Sequence, residues 1–328
     1  MKLHSLAISG LVTMNLHALN NEGAEGNTLM TRMVEIVDGE GQLHTVNAIS
    51  GDMFKHIQAQ HLFHEAKLSG LPLCAGCMQF DANRIARDSE LAEQVEKSPE
   101  YVEAKGNGKT DSYNLSRVLQ ACAVDDCEGI LLTGWAGSKA LARKSCIEFG
   151  WVVGRPANTR TEMYMHAKYV PEGRGTGSGS EQNLGQNIFH RPASSGQYAV
   201  VLNVDLYRVG RNDITLYYDL ENEERLKRIQ ALLKSVLYTF IKPTGAHRNT
   251  QHPHILDFTG VVSTSTSSVP APTVSALKDD YEKELKLISQ HLNSLYSEKY
   301  VDVYGFIGLA DFSKIMGNVV KTVELWGD

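Results

Sequence analysis

Ile49-Ser50-Gly51-Asp52-Met53-Phe54-Lys55-His56-Ile57 is the stretch on which the reading of this chain turns. An apolar run ends at Ile49, and Ser50 then stands where a helix cap belongs, with Asp52 able to share that duty. Met53, Phe54, Ile57, Leu62 and Ala66 recur at helical spacing until Gly70-Leu71-Pro72 stops them. The spacing predicts a helix over 51–69, with Lys55 and Gln58 on faces other than the buried one. A helix start presents unpaired N–H groups, and Lys55 and His56 add cations one turn in, a combination that suits a phosphate backbone. Upstream, Leu19-Asn20-Asn21-Glu22-Gly23-Ala24-Glu25-Gly26-Asn27 is a polar, glycine-broken loop after an apolar run. Downstream, Gln186-Asn187-Ile188-Phe189-His190-Arg191 and Pro243-Thr244-Gly245-Ala246-His247-Arg248 complete a set of four segments that points to nucleic acid.

Working outward, residues 3–19 read as a strand, and 31–37 and 43–48 as a hairpin turning through Asp38-Gly39-Glu40-Gly41. Residues 71–150 change character and read as a helical insertion, with helices over 81–96, 115–123 and 138–148 and a flexible break at 105–109. From 159 to 169 the chain alternates as a strand, 171–185 is rich in glycine and serine, and 187–189 returns, which predicts a long hairpin with a mobile tip. A strand over 197–209, a helix over 221–238, an irregular stretch over 243–275, a helix over 275–296 and a last strand near 301–308 follow. The class is α+β.

The chain has 328 residues, enough for one elaborated domain or two, and its 42% apolar content is that of a globular protein. It lacks a run of about 18 apolar residues, so no membrane span is expected. Met1-Lys2-Leu3-His4-Ser5 leads straight into a strand without a secretory cleavage pattern, so a cytoplasmic location is expected. A net charge of −6 weighs against non-specific RNA binding, but seven Lys/Arg stand against three acids between Lys139 and Arg174. A basic groove on an acidic body is compatible with that segregation.

The order and spacing of the four segments resemble the DevR family, the Cas-seven backbone subunits of type I CRISPR surveillance complexes (Cascade) in the RAMP superfamily. The resemblance spans most of the chain. It implies a modified ferredoxin-like, RNA-recognition-motif palm at 1–65 and 197–328, helical fingers at 66–150 and a β-hairpin thumb at 157–196. It further implies a subunit without catalysis that polymerises head to tail along a guide crRNA, about six nucleotides per copy, and presents that guide for pairing with target DNA. Its partners would be the guide crRNA, further copies of itself and the other Cascade subunits, with no membrane involved.

Carried over residue by residue, Asn20 and Asn21 would contact RNA backbone or sugar, which needs no sequence reading. Ser50, Lys55 and His56 would hold phosphate at the helix start, and Thr244, Gly245, His247 and Arg248 would do so in the late loop. In the thumb, Met163, Met165 or Phe189 would lever out a base, with Arg160, Lys168 and Arg191 on phosphates. Each has a plainer reading beside it: a polar turn, a helix cap, a second turn, and the packing of a hairpin face.

Four of the five cysteines form two pairs, Cys74-x-x-Cys77 and Cys122-x4-Cys127, with Cys146 alone. The expectation is no metal and no cofactor, buried cytosolic thiols being the simpler reading. A structural zinc held by Cys74, Cys77, Cys122 and Cys127 is the alternative. The phosphate-loop, nucleophile-elbow and His-Glu-x-x-His motifs are missing. Two rivals to the scaffold remain. One is a subunit that cuts target RNA through Glu22 or Glu25, the other a regulator that binds nucleic acid.

Overall fold

The predicted first strand is β1 (Ser5–His17), in which Leu6, Ile8, Val12 and Met14 all point into the main core. Residues 1–19, 21–168, 187–244 and 250–327 are described by the computed structural model, with backbone alone at 21, 22, 168 and 187. The polar segment after β1 is not a loop but a small hairpin, β2 (Asn21–Glu25) and β3 (Thr28–Thr31). Next come β4 (Met33–Val37) and β5 (Leu43–Ile49), the hairpin expected. Asp38 Oδ1 fixes their turn by accepting from the N–H groups of Glu40 and Gln42, each at 2.9 Å.

Helix α1 (Gly51–Leu68) begins as read: Ser50 is its cap, with Oγ accepting from Met53 N at 3.2 Å. Phe54, Ile57, Leu62 and Ala66 form its buried face. Gln58 departs from expectation. It is fully buried, because its amide donates to Ser235 Oγ at 2.7 Å across a helix contact that no local pattern reveals.

The insertion contains α2 (Ala75–Met78), α3 (Ser89–Lys97), α4 (Pro99–Gly106), α5 (Thr110–Ala121) and α6 (Ala123–Glu128). The flexible break falls between α4 and α5. The helix read over 138–148 is instead β7 (Ser138–Arg143), paired with β6 (Ile130–Trp135), followed by β8 (Ile147–Phe149). Its Lys-Ala-Leu-Ala-Arg composition favours helix, yet Ala136 and Gly137, at φ 44° and 74°, make the two-residue turn that suits a hairpin. Pairing overrides propensity here.

Two long strands follow, β9 (Val152–Lys168) and β10 (Asn187–Val204). The strand read as starting at 197 is therefore the continuation of the returning arm. Helix α7 (Asn222–Ile241) matches its forecast, with Ile229, Leu232, Leu233, Val236 and Phe240 buried. The stretch read as irregular contains β11 (His254–Ser265), a central strand. Helix α8 (Tyr281–Ser294) and β12 (Val301–Ile307) were expected, whereas α9 (Gly308–Thr322) was not. Its Phe312, Met316 and Val319 repeat at helical spacing and are buried, so the signal was present.

The strands run β12-β11-β1-β10-β9-β5-β4, with β2–β3 and β8 attached at β10, in a ten-stranded sheet that is antiparallel apart from one bridge, Thr28 to His190. Helices α1, α7 and α9 cover one face, where Phe240 stacks on Phe258 at 4.5 Å and Phe312 meets both edge-on. On the other face Val261 and Ala199 pack with Tyr281 and Leu285 of α8. Among the described residues, no helix is long and apolar enough to cross a membrane.

The insertion shares the apolar core of this body and is also joined to it by a buried cluster of charges. Asp126, with its side chain fully buried, sits 2.7 Å from Arg143 Nη2 and 2.9 Å from Arg228 Nη1, both guanidinium groups also buried. It accepts from Gly210 N as well, at 3.0 Å. Asp213 and Glu224 balance the two arginines at the rim. Replacing Asp126 with Ala leaves each buried guanidinium only its rim partner and should lower the unfolding free energy by about 3–5 kcal/mol. Glu224→Ala at the solvated rim should cost under about 1 kcal/mol. Urea midpoints of the two variants against the parent check both values.

Candidate nucleic-acid interface

The β9–β10 hairpin leaves the sheet at a defined place. Its register runs regularly from Asn187↔Lys168 to Gly196↔Thr159 and shifts before Tyr198↔Gly154. A Cβ on Gly196 would stand 2.2 Å from Asn158 O, so this crossover needs glycine. Beside it, β1 is bulged between Met14 and His17, with Leu16 at φ 53° and its N–H donating to Ser195 Oγ at 3.0 Å. Buried His17 packs edge-on against Tyr198, whose hydroxyl donates to Asn47 Oδ1 at 2.9 Å. Sequence reading passed over His17, although a histidine closing an apolar run is a visible oddity.

Pairing sorts the arm residues onto two faces. Opposed residues share a face in antiparallel strands, so Arg160, Tyr164, His166, Phe189 and Arg191 lie on one side. Met163 and Met165 lie on the other, opposite Pro192 and His190, and are 46% and 67% exposed. The three wedge candidates thus do not form one surface. Phe189 is already occupied, stacked on His166 at 5.4 Å with the Arg191 guanidinium 4.8 Å above its ring. The methionines are exposed, as is Ile188 on the same face.

Two other segments meet this hairpin. The tip of the β2–β3 hairpin docks on it through His190 N donating to Asn27 O at 2.8 Å. The chain after the late loop reaches it too: Arg191 Nη1 donates to Thr250 Oγ1 at 3.4 Å, and Gln251 donates to Pro192 O at 2.8 Å. Thr244 Oγ1 is buried with no hydrogen-bond partner among the described residues. Asn20, Gly245, His247, Arg248 and the glycine-rich tip at 171–185 lie outside the described residues, as do the side chains of Asn21 and Lys168.

The head of α1 makes its contacts elsewhere. Lys55 is half-buried and donates to Glu128 O at 3.1 Å and Ser145 Oγ at 2.8 Å; burial lowers its pKa and raises that of the Glu128 carboxyl. His56 is exposed and tilted against Phe80. With Arg84, which sequence reading missed, they line a cleft of about 540 Å³ between α1 and the insertion, faced also by Asp52, Asp81 and Glu128. The cleft is therefore of mixed sign. Nor do the described cations of the 139–174 run make a stripe. Arg143 is buried on Asp126, Arg155 is paired with Asp279, and Arg160 is paired with Glu162 at 2.8 Å.

The cysteines are all free and buried. Cys74, Cys77 and Cys122 come together, but their fourth neighbour is Asp125 and not Cys127. Three residues along a helix return to the same face, while five do not. Cys127 instead shares the surroundings of Asp126, Cys146 and Arg228.

Burial alone depresses His17, from 6.5 to about 4. The unfolded chain then binds the extra proton between those values, so the ring's contribution is complete above about pH 6.5 and is lost as pH falls through about 4, roughly 3 kcal/mol in all. Urea midpoints measured from neutral to about pH 4.5 should fall with acid, and His17→Leu should flatten that part of the slope.

A family model described as "CRISPR-associated negative auto-regulator DevR/Csa2" matches residues 8–286. A protein of Methanocaldococcus jannaschii named "CRISPR-associated protein Cas7/Cst2/DevR" is 23% identical over 342 residues, covering 97% of this chain and 98% of the relative. Similar solved structures include a chain of a CRISPR RNA-guided surveillance complex described as pre-nicking, at 13% identity and TM-score 0.46, covering 96% of this chain and 99% of that one. A chain of another CRISPR RNA-guided surveillance complex has 12% identity and TM-score 0.44, with 97% and 98% covered. A match over most of its length, from the first strand to the last helix but one, makes this chain a member of the DevR/Csa2 family of CRISPR-associated proteins.

Proposed function

We propose that this protein is the guide-carrying backbone subunit of a type I CRISPR surveillance complex. Copies would line up head to tail along the crRNA, each covering about six nucleotides, and present the guide to target DNA alongside the other Cascade subunits. The observation that carries the reading is a convergence within a DevR-family chain: the β2–β3 tip, the β9–β10 hairpin and the chain at Thr250 meet beside the bulged end of β1. Three segments far apart in sequence are drawn together where β10 leaves the sheet, next to exposed Met163 and Met165.

The division into palm, fingers and thumb belongs to the same proposal. A ferredoxin-like palm is supported by the order β11-β1-β10-β9, with α1 following β1 in the chain and α7 following β10. The insertion from α2 to β8 would be the fingers and the outer halves of β9 and β10 the thumb. On a body with net charge −6, affinity would draw on stacking and backbone contacts as much as on charge, which suits a guide whose sequence varies. No catalytic role is proposed.

Nuclease protection of a long single-stranded RNA by the purified protein, with and without magnesium, tests the whole reading. A ladder of exposed positions at six-nucleotide intervals, independent of magnesium, is expected. Magnesium-dependent cuts abolished by Glu22→Gln or Glu25→Gln would replace the scaffold with a nuclease, and sequence-specific duplex binding would replace it with a regulator. Arg160→Ala and Arg191→Ala should weaken binding to all sequences alike. Each should also flatten the log–log salt dependence by about 0.7 for the phosphate contact removed.

A further inference from the structure

Cys74 and Cys122 do the same job in two places. Cys74 caps α2 with its sulfur accepting from Cys77 N at 3.4 Å, and Cys122 caps α6 with its sulfur accepting from Asp125 N at 3.5 Å. Cys-x-x-Cys and Cys-x-x-Asp are thus two copies of one local turn, brought face to face by the fold. One donor atom from each of Cys74, Cys77, Cys122 and Asp125 lies within 4.8 Å of every other, and all four residues are buried. Asp125 Oδ2 is met by the Cys74 and Cys77 sulfurs at 3.3 and 3.7 Å, while Oδ1 has no hydrogen-bond partner among the described residues. A buried carboxylate served only by weak S–H donors, with one oxygen orphaned, is a costly arrangement for packing alone.

We propose that Cys74, Cys77, Cys122 and Asp125 are the ligands of a closed, mononuclear zinc site. Three thiolates and a carboxylate are a soft-leaning set that favours zinc over magnesium or calcium. A tetrahedron with bonds of about 2.3 Å sets its donors about 3.8 Å apart, so closure onto one ion asks for shifts under about 1 Å. Two backbone N–H groups already point at sulfurs, the outer contacts a thiolate site needs. Gly76, between two of the ligands, belongs to the same construction: a Cβ there would stand 2.0 Å from Arg84 O, so only glycine lets the 3₁₀ turn at Arg84–Arg87 close over the ligand loop. The ion would tie the chain just after α1 to the α5–α6 junction, bridging the two ends of the helical part of the insertion. It would sit under the cleft that Cys77 lines together with Lys55 and His56.

The full-length chain, purified from zinc-supplemented culture without chelator, should carry one zinc per chain by elemental analysis and native mass spectrometry. Cys77→Ser should lose it, Asp125→Ala should surrender it to a weaker chelator than the parent does, and Cys127→Ser should match the parent. Cobalt exchanged into the parent should give tetrahedral bands with thiolate charge transfer, a readout that does not depend on any variant folding. On chelation, amide exchange should rise in residues 71–128 while β1 and β10 keep their protection. A parent chain without stoichiometric zinc overturns the site, as does iron or copper in its place. Loss of zinc in Cys127→Ser with full retention in Asp125→Ala overturns this ligand set.

Discussion

The placing of the insertion on the body turns on one buried carboxylate. Asp126 belongs to α6, yet its partners come from β7, α7 and the chain at Gly210. Without it the two buried guanidinium groups would keep only their rim partners Asp213 and Glu224, and with it four separate pieces of chain acquire a fixed mutual position. Burying such a cluster contributes little net stability, because desolvation offsets much of the attraction. Its effect is on arrangement: Arg143 also donates to Arg208 O, Arg211 O and Cys146 Sγ, so few other packings would satisfy it.

That fixed arrangement explains what lies next to it. Lys55 reaches the carbonyl of Glu128 two residues after Asp126, and Asp125, one residue before it, faces the three cysteines. A single turn of α6 therefore presents one acid to the arginines and the adjacent one to sulfur. Consecutive helical residues point about 100° apart, which lets one short helix serve two unlike environments.

The sequence exposed much of what is decided locally, α9 being an exception. Ser50 announces its helix because a cap bond spans only three residues, and the Asp38 turn is equally self-contained. What it concealed depends on distant partners. Gln58 looked like a surface residue because Ser235 is 177 positions away, and Arg143 counted as a groove cation because Asp126 claims it only in the fold. Ser138–Arg143 has helical composition and is a strand because Ile130–Trp135 pairs with it. Among the candidate contacts, alternation marked Met163 and Met165 as one face, but only the register with β10 shows that Phe189 belongs to the other. The two cysteine motifs were visible, as was Asp125 inside the second; that Asp125 and not Cys127 faces the other three sulfurs is decided only by the turn of α6.

Because β9 and β10 each pass from the middle of the sheet into an arm, with the register broken once at Gly196, the hairpin is an extension of the sheet joined to it through a single bulge. The ten residues from Asn187 to Gly196 extend roughly 30 Å. Its direction is set where it is clamped, by the twist of the sheet between β1 and β10, so a small change of packing at Val200 or Leu202 is magnified at the far end. In any row of identical copies, the spacing from one to the next would be written into the core of each.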